Sequence, residues 1–186
     1  MDVQDAIDAR VSVKEFKPSD VAPEKIERLL ELASLVPNHR MTEPLHYRVM
    51  GTGAKRAYAE ALAGRKTKRI DDTETARAVT EKVVKRHMSV PAMIAVLVHE
   101  NEDPEIREED WATAFMAIQN LSRAAVEMGL GTHIKTGAVM GEPSVRLALE
   151  VADDERVAAV VFLGEPAELP AAKNRVPAAD RTRWLD

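Results

Sequence analysis

Three features of the sequence predict an α+β fold. Two short apolar runs, Met93–Val98 and Val157–Leu163, have the length and near-continuous hydrophobicity of buried strands. Between them, Trp111, Phe115, Ile118, Leu121, Ala125 and Met128 recur at steps of three or four, which makes Asp110–Met128 a long amphipathic helix. No internal repeat, low-complexity tract or linker interrupts the chain. Its 186 residues are therefore expected to form one domain, 1–186, large enough to bury a core without staples.

The elements follow in order. Val3, Ala6 and Ile7 give Val3–Ala9 an apolar helical stripe, and Pro18-Ser19 breaks the chain after it. Pro23 suits the first position of a second helix, with Glu24 favourable in the first turn. Ile26, Leu29, Leu30 and Ala33 are its buried stripe, and Pro37 stops it. Asn38–Pro44 reads as a polar loop. Tyr47–Met50 alternates and ends at Gly51-Thr52-Gly53, a strand and turn. Ala54–Ala63 and Arg69–His87 read as helices, Asn101–Glu109 as an acidic loop, and Pro143–Glu150 as a short helix. Gly129 is a helix C-cap and Gly131 allows a tight turn into the next segment. The tail Lys173–Asp186 is too polar to form a core of its own.

Composition excludes several function classes. Aromatics are only 4% of residues, so the core must be built from Ala, Val, Leu, Ile and Met. A net charge of −5 argues against nucleic-acid or anionic-membrane binding. The basic cluster Lys66, Lys68, Arg69, Lys82, Lys85 and Arg86 is interleaved with Asp71, Asp72, Glu74 and Glu81, which reads as a solvated helix face. The chain has no cysteine, and its five histidines lack metal-ligand spacing, so no metal is expected. Gly-x-Ser-x-Gly, Gly-x-x-x-x-Gly-Lys and Gly-x-Gly-x-x-Gly are all missing. The N-terminus lacks a signal-peptide pattern and no apolar run is long enough to span a bilayer, so a cytoplasmic location is expected.

Three segments carry candidate chemistry. Arg10, Ser12 and Lys14 stand at i, i+2 and i+4, on one face if the chain is extended. That face would cradle an anionic, hydrogen-bonding ligand such as a flavin phosphate. Pro37-Asn38-His39-Arg40 is rich in donors, but taken alone it reads first as a helix-terminating turn. In Gly129–Gly137 the glycines let backbone approach a flat ligand, while Lys135 and Thr136 could serve a charged or carbonyl-bearing group. A helix C-cap leading into an edge strand explains the same glycines.

In this order the segments resemble the nitroreductase family of FMN-dependent oxidoreductases. The N-terminal helix before Arg-x-Ser-x-Lys-x-Phe is similar to the family's opening motif, and the helix ending in Pro-Asn-His with Glu43-Pro44 to its second. The long helix running into Gly-Leu-Gly and a basic-hydroxyl-Gly stretch is similar to its third, and the last strand closes in Gly-Glu-Pro. The resemblance spans the chain, whose compact length suggests a small-subunit branch. It implies a mixed central sheet flanked by helices and an interlocked homodimer with FMN at the subunit interface. Arg10 and Ser12 match residues that hold the FMN phosphate, ribityl or pyrimidine groups, and Lys14 the family's Arg or Lys. Asn38 and His39 match a loop that reaches the flavin, typically the partner's. Ile134, Lys135 and Thr136 match the segment beside the flavin, and Lys173 and Arg175 a C-terminal basic pair near the phosphate. Val11, Glu43 and Leu45 depart from the usual Arg, Gln and aromatic, which bears on the acceptor pocket and nicotinamide preference more than on the flavin site.

The resemblance also implies a reaction. NADH or NADPH delivers hydride to flavin N5, and a nitroaromatic, quinone or similar small-molecule acceptor takes electrons at the same face, in ping-pong order. The flavin carries this chemistry, so no side chain is assigned a catalytic role. Lys135 near the N1–C2 edge would oppose the negative charge that develops there. Other readings are a flavin storage or sensing protein, a specialised flavin dehydrogenase or dehalogenase, and a flavin-free interaction domain. Trp184 would anchor the tail either on its own subunit or on a partner.

Overall fold

The computed structural model describes residues 1–186. Ten regular elements occur in the order α1 (Val3–Ala9), α2 (Pro23–Ser34), β1 (Leu45–Val49), α3 (Thr52–Thr67), α4 (Thr73–Met88), β2 (Ala92–His99), α5 (Pro104–Glu127), β3 (Gly131–Lys135), α6 (Pro143–Ala148) and β4 (Glu155–Gly164). The strands form one sheet in the order β1-β2-β4-β3, with every strand pair antiparallel. The parallel component of the expected mixed sheet is a single bridge between Ser12 and Thr132.

Both strongly apolar runs became the central strands, because each must bury two faces. Ile94, Val96 and Val98 of β2 and Val161 and Leu163 of β4 meet α2 and α5 through Leu29, Ile118 and Leu121. Met93, Ala95, Leu97, Val160 and Phe162 point the other way, against Tyr58 of α3 and Val145 of α6. Strand alternation thus separates two cores with the sheet between them. A bulge opposite Val96 and Leu97 inserts Ala158, so Ala158 and Ala159 both face the α5 side.

The long helix starts earlier than its periodicity suggested. The Asp103 side chain accepts from the N–H groups of Glu105 and Ile106, Pro104 occupies the first turn, and residues read as an acidic loop form the helix's opening turns. Acidic residues are favourable there because the helix dipole presents its positive end.

The segment after α1 is extended, as its spacing requires. The Val13 N–H donates to the Thr132 carbonyl at 2.9 Å, and Lys17 N–H to the Glu165 carbonyl at 2.8 Å. The chain therefore lies along the β3–β4 end of the sheet with Val13 buried and Lys14 outward. Gly131 is required at this junction: a Cβ there would sit 2.4 Å from Val13 Cγ2. At Gly131 the close approach is thus made by the N-terminal segment, while Gly129 and Gly137 have open space beside them. Past β4 the tail is exposed, and Trp184 is 91% accessible, so it is no anchor on its own subunit. No helix is long and apolar enough to cross a membrane.

Candidate active site

The N-terminal segment, the end of β3 and the helices α3 and α4 enclose a cavity of about 500 Å³. Lys14, Glu15 and Phe16 come from the first, His133, Lys135 and Thr136 from the second, and Lys66, Lys82 and Arg86 from the helices. The floor is aromatic: His87 meets the Phe162 ring edge-on at 5.4 Å and lies 5.7 Å from Tyr58.

Five cations and a single carboxylate line this space. Glu15 reaches Arg86 at 3.4 Å, while Lys14, Lys66, Lys82 and Lys135 have no ionic partner. Burial lowers the Lys135 pKa, and Arg86, Lys66 and Lys14 add their repulsion. His133 is pushed down to about 4, again first by burial and then by Lys135, with a backbone hydrogen bond at Val13 opposing the shift. The ring is therefore neutral at ordinary pH. Its Nε2 lies 3.1 Å from Lys135 Nζ and accepts from the ammonium, which also stands 5.5 Å from the Phe162 ring centre. Side chains at 133 and 135 share a face of β3, and the neutral ring holds the cation over the floor.

The predicted site residues divide. Lys14, Lys135 and Thr136 are brought together at the cavity. Ile134 points oppositely, packing against the α2/α5 core, because strand alternation turns it away from its neighbours. Arg10 and Ser12 stand on the N-terminal segment outside the cavity lining, and Arg175 and Lys173 are exposed in the tail. The basic cluster splits as well. All six are exposed, as a solvated face requires, but Lys66, Lys82 and Arg86 also line the cavity, whereas Lys68, Arg69 and Lys85 do not.

Asn38 and His39 are spent elsewhere within this chain. The Asn38 Oδ1 accepts the Glu43 N–H at 2.7 Å, its Nδ2 donates to Thr42 Oγ1 at 2.9 Å, and Thr42 in turn donates to buried Asp110. His39 Nδ1 pairs with Glu109 at 2.8 Å. Arg40, Met41 and Glu43 all take positive φ, so the turn is strained and stands away from the cavity. Sequence reasoning missed the helix-borne cations, His133 and the aromatic floor. The one usable signal was Lys82 and Arg86 at i, i+4 without an intervening acid on that face.

A helix-flanked antiparallel sheet with a cationic, aromatic-floored cleft at its edge strand defines the class: an α+β protein with five cations and one carboxylate around one cavity. The chain belongs to the nitroreductase family, whose model matches residues 7–165. It is 33% identical over 181 residues to a Bacillus subtilis (strain 168) protein named "Putative NAD(P)H nitroreductase YfhC", covering 96% of this chain and 92% of that one. Among solved structures, a nitroreductase-like family protein from Bacillus cereus superposes with a TM-score of 0.86 at 24% identity, covering 100% of this chain and 97% of that one. The FMN and NADPH-dependent nitroreductase NfnB of sphigopyxis sp. strain HMH matches at 0.81 and 18% identity, with full coverage of both.

Proposed function

We propose that this protein is an FMN-dependent oxidoreductase that takes electrons from NADH or NADPH and passes them to nitroaromatic, quinone or similar electron-poor acceptors. The observation that carries this reading is the unpaired cations Lys14 and Lys135 beside an aromatic floor. A cavity of about 500 Å³ suits a cofactor-sized ligand, and cations without ionic partners suit an anionic, carbonyl-bearing ring system. The names of YfhC and of the NfnB enzyme support the same cofactor and electron donor.

Bound FMN supplies the hydride chemistry, and the chain binds, orients and tunes it. Lys135, held by His133, and Lys14 would hold the ring system and oppose the negative charge it gains on reduction. Thr136 offers a hydroxyl beside them. Arg10 and Ser12, on the same extended segment as Lys14, are assigned to the phosphate or ribityl end, with Arg175 joining from a tail. No side chain is needed as a nucleophile. Donor and acceptor would use this one cleft in turn, which would give ping-pong order.

The site is completed by a second copy of the chain. Phe115 and Met116 of α5 are more than a third exposed, and Leu169, Val176, Trp184 and Leu185 of the tail lie bare. In a homodimer the tail grips the partner, and the strained Asn38–Glu43 turn reaches the partner's flavin. The cytoplasm, where reduced nicotinamide is plentiful, is the assigned location.

The purified protein is expected to be yellow or to take up FMN, to bleach on anaerobic addition of NADPH, and to recover colour with a quinone. Failure to bind FMN overturns the assignment, and flavin that is bound but not bleached supports the storage reading instead. Arg10→Ala removes a charge-assisted phosphate contact worth about 1.5–3 kcal/mol, so FMN affinity is expected to fall roughly ten- to a hundredfold. Unchanged affinity in a titration removes Arg10 from the site.

A further inference from the structure

Lys66, Lys82 and Arg86 stand on the helical wall of the cavity, and the cofactor assignment does not use them. Lys66 lies in the last turn of α3, while Lys82 and Arg86 are one turn apart on α4. Two residues at that spacing project to the same side of a helix. Arg86 has Glu15 as a partner, but Lys66 and Lys82 have none, in a chain whose net charge is −5. The field of this wall crosses the cavity, since Arg86 and Lys66 help depress the Lys135 pKa. The cofactor phosphate is assigned to Arg10, which does not line the cavity, so phosphate is not what neutralises the wall. Beside the cations, Leu62 of α3 and Val79 of α4 offer half-buried apolar surface apart from the Phe162 floor.

The geometry points to a second-ligand subsite on the α3–α4 wall, in which Lys66 and Lys82 bind the carboxylate or sulfonate of a flat aromatic electron acceptor. Apolar surface on the wall and unpaired cations beside it select for both parts of such a molecule. This subsite rests on the FMN reading, because FMN makes the ligand an acceptor. The phosphate of NADPH presents the same chemistry as an acceptor's carboxylate or sulfonate, so the test separates the two sources.

FMN uptake is measured first, since its failure overturns the proposed function. The FMN-loaded protein is then titrated with naphthoquinone sulfonate and with its uncharged counterpart menadione, read by flavin absorbance. Both quinones are also titrated calorimetrically into flavin-free protein, where the same preference is expected because Lys66 and Lys82 belong to the chain. The sulfonate is expected to bind roughly tenfold more tightly, a margin that one charge-assisted contact supplies. Added salt is expected to shrink that margin. It disappears in the Lys66→Gln/Lys82→Gln double variant and returns in Lys66→Arg/Lys82→Arg. Both positions are exposed, so neither substitution disturbs the core. Equal affinity for the two quinones, or a preference that survives the double Gln variant, overturns the subsite while leaving FMN binding intact. A KM for NADPH that rises relative to NADH in the double Gln variant, with quinone preference unchanged, gives the wall to the dinucleotide and overturns the acceptor assignment.

Discussion

His133 and Lys135 sit two residues apart on an edge strand, and that spacing determines how each behaves. The shared face turns the imidazole toward the ammonium, and partial burial keeps the ring unprotonated. The consequence for stability has a definite sign. At pH above the ordinary imidazole value of 6.5 the ring is neutral whether the chain is folded or not. As pH falls toward about 4, the unfolded chain takes up a proton that the folded chain refuses. Stability is therefore expected to decline through that window and to be complete above it. His87, also lowered by burial, adds to the same slope. In thermal melts, His133→Gln, which keeps an acceptor but cannot titrate, is expected to lose less stability between those limits than the parent. Parallel pH profiles for the two proteins exclude this role for His133.

The element that organises the site is the N-terminal extended segment, a ribbon joined to the sheet by a few backbone hydrogen bonds and one buried side chain. Val13 fits because Gly131 leaves room for it, with Pro166 closing the other side. Gly131→Ala places a Cβ 2.4 Å from Val13 Cγ2 and 3.0 Å from Pro166 Cγ. Overpacking of this kind costs about 1–3 kcal/mol, measurable by denaturant unfolding. Adding Val13→Ala removes the Cγ2 contact and leaves only the Val13 Cβ at 2.9 Å, so the double variant is expected to lose less stability than the sum of the two single losses. Strict additivity removes the contact as the cause. The sequence showed that Arg10, Ser12 and Lys14 share a face, because alternation is a local property of extended chain. It could not show that Lys14 alone would meet the cavity, since that depends on where the ribbon lies on the sheet. Likewise α5 was legible from its apolar period, whereas its start at Pro104 hid among acids that are polar whether helical or not.

At the scale of the whole molecule, a tail of about twenty residues is left bare, with Trp184 and Leu185 among the most exposed apolar side chains. The last backbone hydrogen bond from the tail to the rest of the chain is at Ala167, whose N–H reaches the Glu15 carbonyl at 3.0 Å; beyond it the tail bonds only to itself, in the turn at Ala179–Arg181. Removing Glu168–Asp186 is therefore expected to leave the melting temperature of the isolated domain nearly unchanged. Sedimentation is expected to shift from a dimer of 20.5 kDa chains to a monomer. A truncated protein that still sediments as a dimer takes the tail out of the interface.

The sequence by itself determined the two buried strands, the long helix, the extended face bearing Lys14 and the basic stretch after Gly-Leu-Gly. Each is encoded in a period of two or of three to four residues, and such periods act over a few neighbours. Only the tertiary structure decided that Lys66, Lys82 and Arg86, though still exposed, line a cavity opposite Lys135, and that Ile134 turns away. It also decided that Asn38 closes its own turn. Those outcomes depend on which layers meet across the sheet, a relation between residues far apart in the chain that no local pattern carries.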